Sequence, residues 1–175
     1  MISLIPINLL RFLLLVVFQV LFFSNIHLHP YIEIFIYPIF ILLLPFDTPR
    51  WLLLLVSFGF GLTLDVLLGT LGMHAAVCVL LAFFRGGIIS LITPKGTDFE
   101  LAPNIYIQGA GWFFIYCTIA YTIIVSGYLT IENGTFHNPF FLLIKILVSL
   151  TISVLVSIML LYIFTKDKRR RHTGH

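Results

Sequence analysis

Gly61-Leu62-Thr63-Leu64-Asp65-Val66-Leu67-Leu68-Gly69-Thr70-Leu71-Gly72-Met73-His74 is the stretch on which the fold turns, because it sets a carboxylate in an apolar run that then reverses between two glycines. Near the centre of a membrane helix an aspartate costs about 2.5 to 3.5 kcal/mol even on lenient insertion scales. Asp65 is therefore expected to face the bundle, a polar cavity or the outer interface. The turn from Gly69 to Gly72 brings the start of the next helix, near Met73, back towards it. That start offers unpaired N–H groups and the positive end of a helix dipole, and His74 can add a hydrogen bond. Two readings follow: a ligand or partner site at the outer end of helices three and four, or a hairpin fastened by a carboxylate at a helix N-terminus. A proton relay lacks the chain of ionisable groups that such relays use.

Working outward, the 175 residues are 60% hydrophobic and 10% charged, against roughly 25% charged in a soluble domain. Lipid is the solvent this composition suits. Six apolar segments can be read, over 8–25, 31–45, 51–68, 73–92, 105–128 and 139–164. The expected fold is an all-α integral membrane protein, a compact bundle of about six transmembrane helices, with one membrane domain over 1–165 and a basic cytoplasmic tail over 166–175. The second segment is the short one. Between Pro30 and Pro45 lie 14 residues, roughly 21 Å as a helix, and Pro38 inside them is expected to kink it. Such a segment crosses a thinned region, extends past either proline, or is partly re-entrant. The first segment, with Arg11 near its start and Gln19, Ser24 and Asn25 where a cleavage site would be, reads as a retained helix.

Positive charge in the short connections sets orientation. Arg11, Arg50, Lys95 and the run Lys166 to Arg171 fall on one side. His27, His29, Glu33, Glu132, His137 and Lys145, just inside the sixth helix, fall on the other. Both termini are expected in the cytoplasm, with the aromatic rings of Tyr31, Trp51, Tyr106, Tyr128 and Tyr162 near the headgroups. The net charge of +3 comes mainly from the C-terminal run, which argues against a surface that tracks nucleic acid.

Arg85 reads either as a basic side chain snorkelling to the interface or as an inward ion pair with Asp47. The loop Pro45-Phe46-Asp47-Thr48-Pro49-Arg50-Trp51 is rigid by its prolines, and Asp47 or Thr48 is placed to cap the third helix with Pro49 in its first turn. Gly59, Gly61, Gly109 and Gly111 allow close helix approach. Cys78 and Cys117 read as buried thiols, Asn133-Gly134 as a turn, and His27 and His29 as loop histidines without a third metal ligand. No cofactor loop, nucleophile triad or metal motif is present, so an enzyme is not expected.

At Pro45 to Trp51, Gly61-Leu62-Thr63-Leu64-Asp65 and Gly72-Met73-His74-Ala75-Ala76 the sequence resembles the bacterial rod shape-determining MreD family, most closely from about 40 to 90. That resemblance implies a non-catalytic component of the cell-wall elongation machinery in the bacterial inner membrane. Its partners would be MreC and, through it, MreB, RodA and a penicillin-binding transpeptidase, within membrane lipid. It also implies a fold like the substrate-binding S components of energy-coupling-factor transporters. Asp65, Gly69, Gly72 and His74 would then shape the end that meets MreC or a lipid-linked ligand, and Asp47 and Arg50 the cytoplasmic loop. The rival is a small-molecule-binding subunit of S-component type, whose pocket would draw on Tyr31, Glu33, Asp65, His74, Asn133 and His137.

Overall fold

The computed structural model describes residues 5–23, 32–93, 103, 108–134 and 139–165, and they form an all-helical membrane protein. Helix α1 (Ile5–Phe18) continues through one π turn (Gln19–Phe23), and a short α2 (Pro38–Leu42) follows. Then come α3 (Arg50–Leu68), α4 (Met73–Ile92), α5 (Ala110–Asn133) and α6 (Pro139–Thr165). The last four are long and apolar enough to cross a bilayer. Neighbours in sequence pack against each other from α3 through α6, and α1 leans on α2 and α3.

The α3–α4 hairpin closes as its glycines require. Gly69 and Gly72 both take left-handed conformations, at φ +69° and +79°, which cost a glycine little and an L side chain about 1 kcal/mol or more. Gly61 holds the two helices together. A Cβ there would lie 2.5 Å from the Ala75 Cα and 2.6 Å from the His74 carbonyl oxygen. Gly59 and Gly111 have no such neighbour, and Gly109 precedes α5 at φ +87°. Of the four glycines expected to allow close approach, only Gly61 does so.

The second apolar segment differs most from expectation. Residues 32–36 are not helical, and Pro38 opens a five-residue helix instead of kinking a longer one. Proline suits that position because the first N–H of a helix has no partner to lose. Glu33 N–H donates to Ser149 Oγ and Phe35 N–H to Ser153 Oγ, each at 3.0 Å. Two residues of this stretch thus match four of α6, about 6 Å of helix, which is the rise of extended chain and twice that of a helix. Five extended residues, Tyr37 in helical conformation and the five-residue helix cover about 25 Å, near the thickness of a hydrocarbon core. The estimate of 21 Å assumed helix throughout and so underestimated the reach.

This segment descends through the middle of the bundle. Its start meets the distal end, where α5 ends and α6 begins. Tyr37 lies beside His74 at the start of α4, and Leu44 meets Arg85 near the other, proximal end. Phe35 to Leu44 are buried and form the core with Phe60, Leu64, Leu81, Phe113 and Ile124. The path is α1 up, the central segment down, then α3 up, α4 down, α5 up and α6 down.

Other boundaries shift for local reasons. The fifth segment's helix α5 starts at Ala110, with 104–107 outside the described residues, and runs past the expected end at 128 to Asn133, because Tyr128 to Asn133 lose hydropathy without breaking a helix. Gly134, at φ +49°, ends it, as the Asn-Gly pair implies. Thr48 does not cap α3. Its N–H and hydroxyl both bond to the Pro45 carbonyl at 3.3 and 2.8 Å, and Pro49, extended, stands at the cap position outside the first turn.

Candidate functional site

At the distal end Asp65 binds the first turn of α4. Oδ1 accepts the His74 N–H at 3.0 Å and Oδ2 the Ala75 N–H at 2.9 Å. The Thr70 hydroxyl donates to Oδ1, and His74 Nδ1 lies 3.1 Å from the same oxygen and 3.0 Å from Thr70 Oγ1. Asp65 is 4% exposed and His74 2%, so the carboxylate is stabilised by two N–H donors and a helix dipole in a region that excludes water. Among the described residues every hydrogen bond to the Asp65 carboxylate comes from residues 70 to 75. This is the fastened hairpin, with Gly61, Asp65 and His74 brought together and Gly69 and Gly72 making the turn.

Next to it the ring of His74 contacts Tyr128 at 4.8 Å and Tyr37 at 5.4 Å. Beyond Tyr128, Lys145 joins Glu132, at 3.0 Å, and Glu33. Lys145 lies 8% exposed inside the bundle, so it ties the start of the central segment to both α5 and α6. Sequence reading placed these three residues on one side without pairing them.

At the proximal end Arg85 neither snorkels nor pairs with Asp47. It is 2% exposed and donates from Nε to Tyr116 OH at 3.0 Å, from Nη1 to the Pro45 carbonyl at 3.4 Å and from Nη2 to the Leu44 carbonyl. Phe46 covers its guanidinium at 5.8 Å. These two carbonyls lie just past the end of α2, and that of Pro45 also accepts the Thr48 N–H and hydroxyl. Arg85 supplies a donor to the buried main chain that leads from α2 into the proximal loop, where an unpaired carbonyl would be costly. Asp47, Pro49 and Arg50 remain exposed on the loop, and no ion pair engages Asp47 or Arg50 among the described residues.

Between the ends, other side chains complete the central segment. Gln19 accepts the Ile36 N–H and donates to the Ile34 carbonyl, at 2.9 and 3.0 Å, as a neighbouring strand would. Tyr121 OH donates to the Ile36 carbonyl at 3.3 Å, with the Ser157 hydroxyl against its oxygen. Non-helical backbone survives at membrane depth only where protein satisfies it, and here Gln19, Arg85, Tyr121, Ser149 and Ser153 do so. The signal was present: Ser149, Ser153 and Ser157 recur every four residues, one stripe on α6.

Among the described residues the hydroxyls of Tyr37 and Ser57 are buried without a partner. Cys78 and Cys117 are buried free thiols. No metal-ligand cluster occurs among the described residues. An open apolar groove of about 420 Å³ runs between α4 and α5, lined by Ala76, Val77, Leu80, Ser126, Gly127, Thr130 and Ile131. His27, His29, Tyr31, Lys95, Tyr106, His137 and the basic tail lie outside the described residues. No family model, curated protein or solved structure matches the chain.

Proposed function

We propose that the protein is a non-catalytic membrane component of the bacterial cell-wall elongation complex, holding MreC and, through it, MreB, RodA and a penicillin-binding transpeptidase. The observation that carries this reading is where the buried polar groups are directed. Asp65, His74, Arg85, Gln19, Lys145 and the α6 serines bond inward, to backbone or to one another. What such a protein offers to others is its outer surface and its two ends, and recognition needs no more than those. The residues that carry the MreD resemblance are also those that build the bundle: Pro45 under Arg85, Gly61 against Ala75, and Asp65 on the start of α4. A family signature made of such residues reports a fold. On this reading the proximal loop is cytoplasmic and the distal hairpin meets MreC.

One observation favours the S-component alternative. Tyr37 and Ser57 carry unpartnered hydroxyls inside the bundle, beside a broken crossing of the kind that lines substrate sites in transporters. Purification of the tagged protein from native membranes in mild detergent separates the two, with mass spectrometry of proteins and small molecules together. Enrichment of MreC and cell-wall synthases over an unrelated membrane protein is the expected result. A stoichiometric small ligand or an ATPase module in their place would establish the alternative.

A further inference from the structure

Among the described residues Arg11 has no partner, and it is a cation at mid-depth. Phe12, the next residue, meets Phe60 edge to face at 5.1 Å and Phe40 at 5.6 Å. Phe60 stands ten residues after the start of α3, so Arg11 lies about 13 Å in from the proximal end of that helix. All of α3 measures about 28 Å, nearly a full hydrocarbon core. Sequence reading counted Arg11 with the cytoplasmic loops, but the packing of its neighbour places it well inside the span.

An arginine on α1 directs its side chain towards the helix N-terminus, which is the proximal side. Its reach of about 7 Å leaves the guanidinium roughly 6 Å short of the interface. It is half-buried, on the flank between the buried Leu15 and Gln19 and the lipid-facing Leu10 and Leu13. No hydrogen bond or ion pair engages it among the described residues. Of the described carboxylates, Glu33 and Glu132 are committed to Lys145 and Asp65 to the start of α4, while Asp47 stands exposed on the proximal loop and makes no ion pair with Arg11.

We propose that this flank of α1 docks a transmembrane helix of a different protein, and that a carboxylate on that helix pairs with Arg11 inside the bilayer. Ionisable side chains within a membrane almost always face protein or a water-filled cavity and pair with one another or with backbone carbonyls; the carbonyls of a neighbouring helix are taken by its own hydrogen bonds, which leaves a carboxylate as the counter-group, and the depth argues against a lipid phosphate. The inference rests on the reading of the chain as a membrane partner and names the face it uses.

The test places a photoreactive benzophenone amino acid at Phe18, seven residues on and on the same flank, in the full chain in native membranes. The expected product is a crosslink to a transmembrane segment of another protein bearing Asp or Glu. Arg11→Leu should reduce it at least tenfold while the thermal unfolding midpoint of the purified protein is retained. Arg11→Glu combined with an arginine in place of the partner's carboxylate should restore it. Crosslinks only to phospholipid, to a second copy of this chain or to a segment without a carboxylate would overturn the proposal, as would a crosslink that Arg11→Leu leaves unchanged. If partners still co-purify with Arg11→Leu, the complex reading stands and the Arg11 interface fails; if the wild type recovers no protein partner, both fail.

Discussion

Asp65 and Arg85 are both ionisable residues inside the membrane, and each serves the backbone. Asp65 accepts N–H groups from the first turn of α4, and Arg85 donates to the Leu44 and Pro45 carbonyls just past α2. Replacing either leaves buried polar groups unpaired, at about 1 to 3 kcal/mol for each group. Asp65→Ala is expected to lower the thermal midpoint of the detergent-solubilised protein, and Asp65→Asn to lower it less, since an amide oxygen still accepts one N–H. Arg85→Leu is expected to destabilise by about 2 to 5 kcal/mol, because the buried Leu44 carbonyl and Tyr116 hydroxyl then lose their donor in a dry interior. Arg85→Lys should recover only part of this, since an ammonium lacks the planar fork that reaches two carbonyls and a tyrosine at once. Melting curves of the four variants, followed by scattering or intrinsic fluorescence, provide the comparison.

At the scale of elements, the central segment depends on its neighbours for the hydrogen bonds that a helix makes for itself. Ser149→Ala and Ser153→Ala each orphan one N–H of the segment and are expected to cost about 1 to 3 kcal/mol. The exposed Thr151→Ala on the same helix bonds only to its own turn, at the Leu147 carbonyl, and should be near neutral. Backbone hydrogen exchange at Glu33 and Phe35, read by mass spectrometry, should accelerate in the first two variants and stay unchanged in the third. Gly61→Ala belongs to this scale as well. Its Cβ would meet the backbone of α4 and not a flexible side chain, so the hairpin must open, at about 1 to 3 kcal/mol by the usual penalty for overpacking. Gly59→Ala meets nothing within 4 Å and should stabilise α3 slightly through helix propensity.

At the scale of the molecule, the odd crossing determines parity. Counted as a crossing, the extended segment makes six passes and places Ile5 and Thr165 on one side; left out, the bundle would have five. Thr48→Cys and Leu71→Cys, one on the proximal loop and one 99% exposed on the distal turn, are therefore expected to react with a membrane-impermeant maleimide from opposite sides. Buried Cys78 and Cys117 should stay silent in the same assay, so a signal from the parent protein would mean that the bundle is looser than described.

Hydropathy alone located α3, α4 and α6 almost to the residue, because a helix in lipid satisfies its own backbone and its limits coincide with its apolar limits. The hairpin at Asp65 was legible for a related reason: carboxylate, turn and helix start are all within ten residues, so local geometry leaves few arrangements. The central segment was not legible in that way. Its hydropathy is that of a short helix, and what keeps it extended is a set of donors and acceptors 15 to 118 residues away. Arg85 was misread for the same reason, since its partners lie 31 to 41 residues off and include main-chain atoms that no sequence pattern marks. The sequence by itself determined that the chain is a helical membrane protein with a fastened α3–α4 hairpin, because both follow from local solvation and short-range geometry. Only the tertiary structure decided the extended central segment, the Glu33–Lys145–Glu132 tie and the packing that sets the depth of Arg11, because each depends on which distant helix supplies the neighbouring atoms.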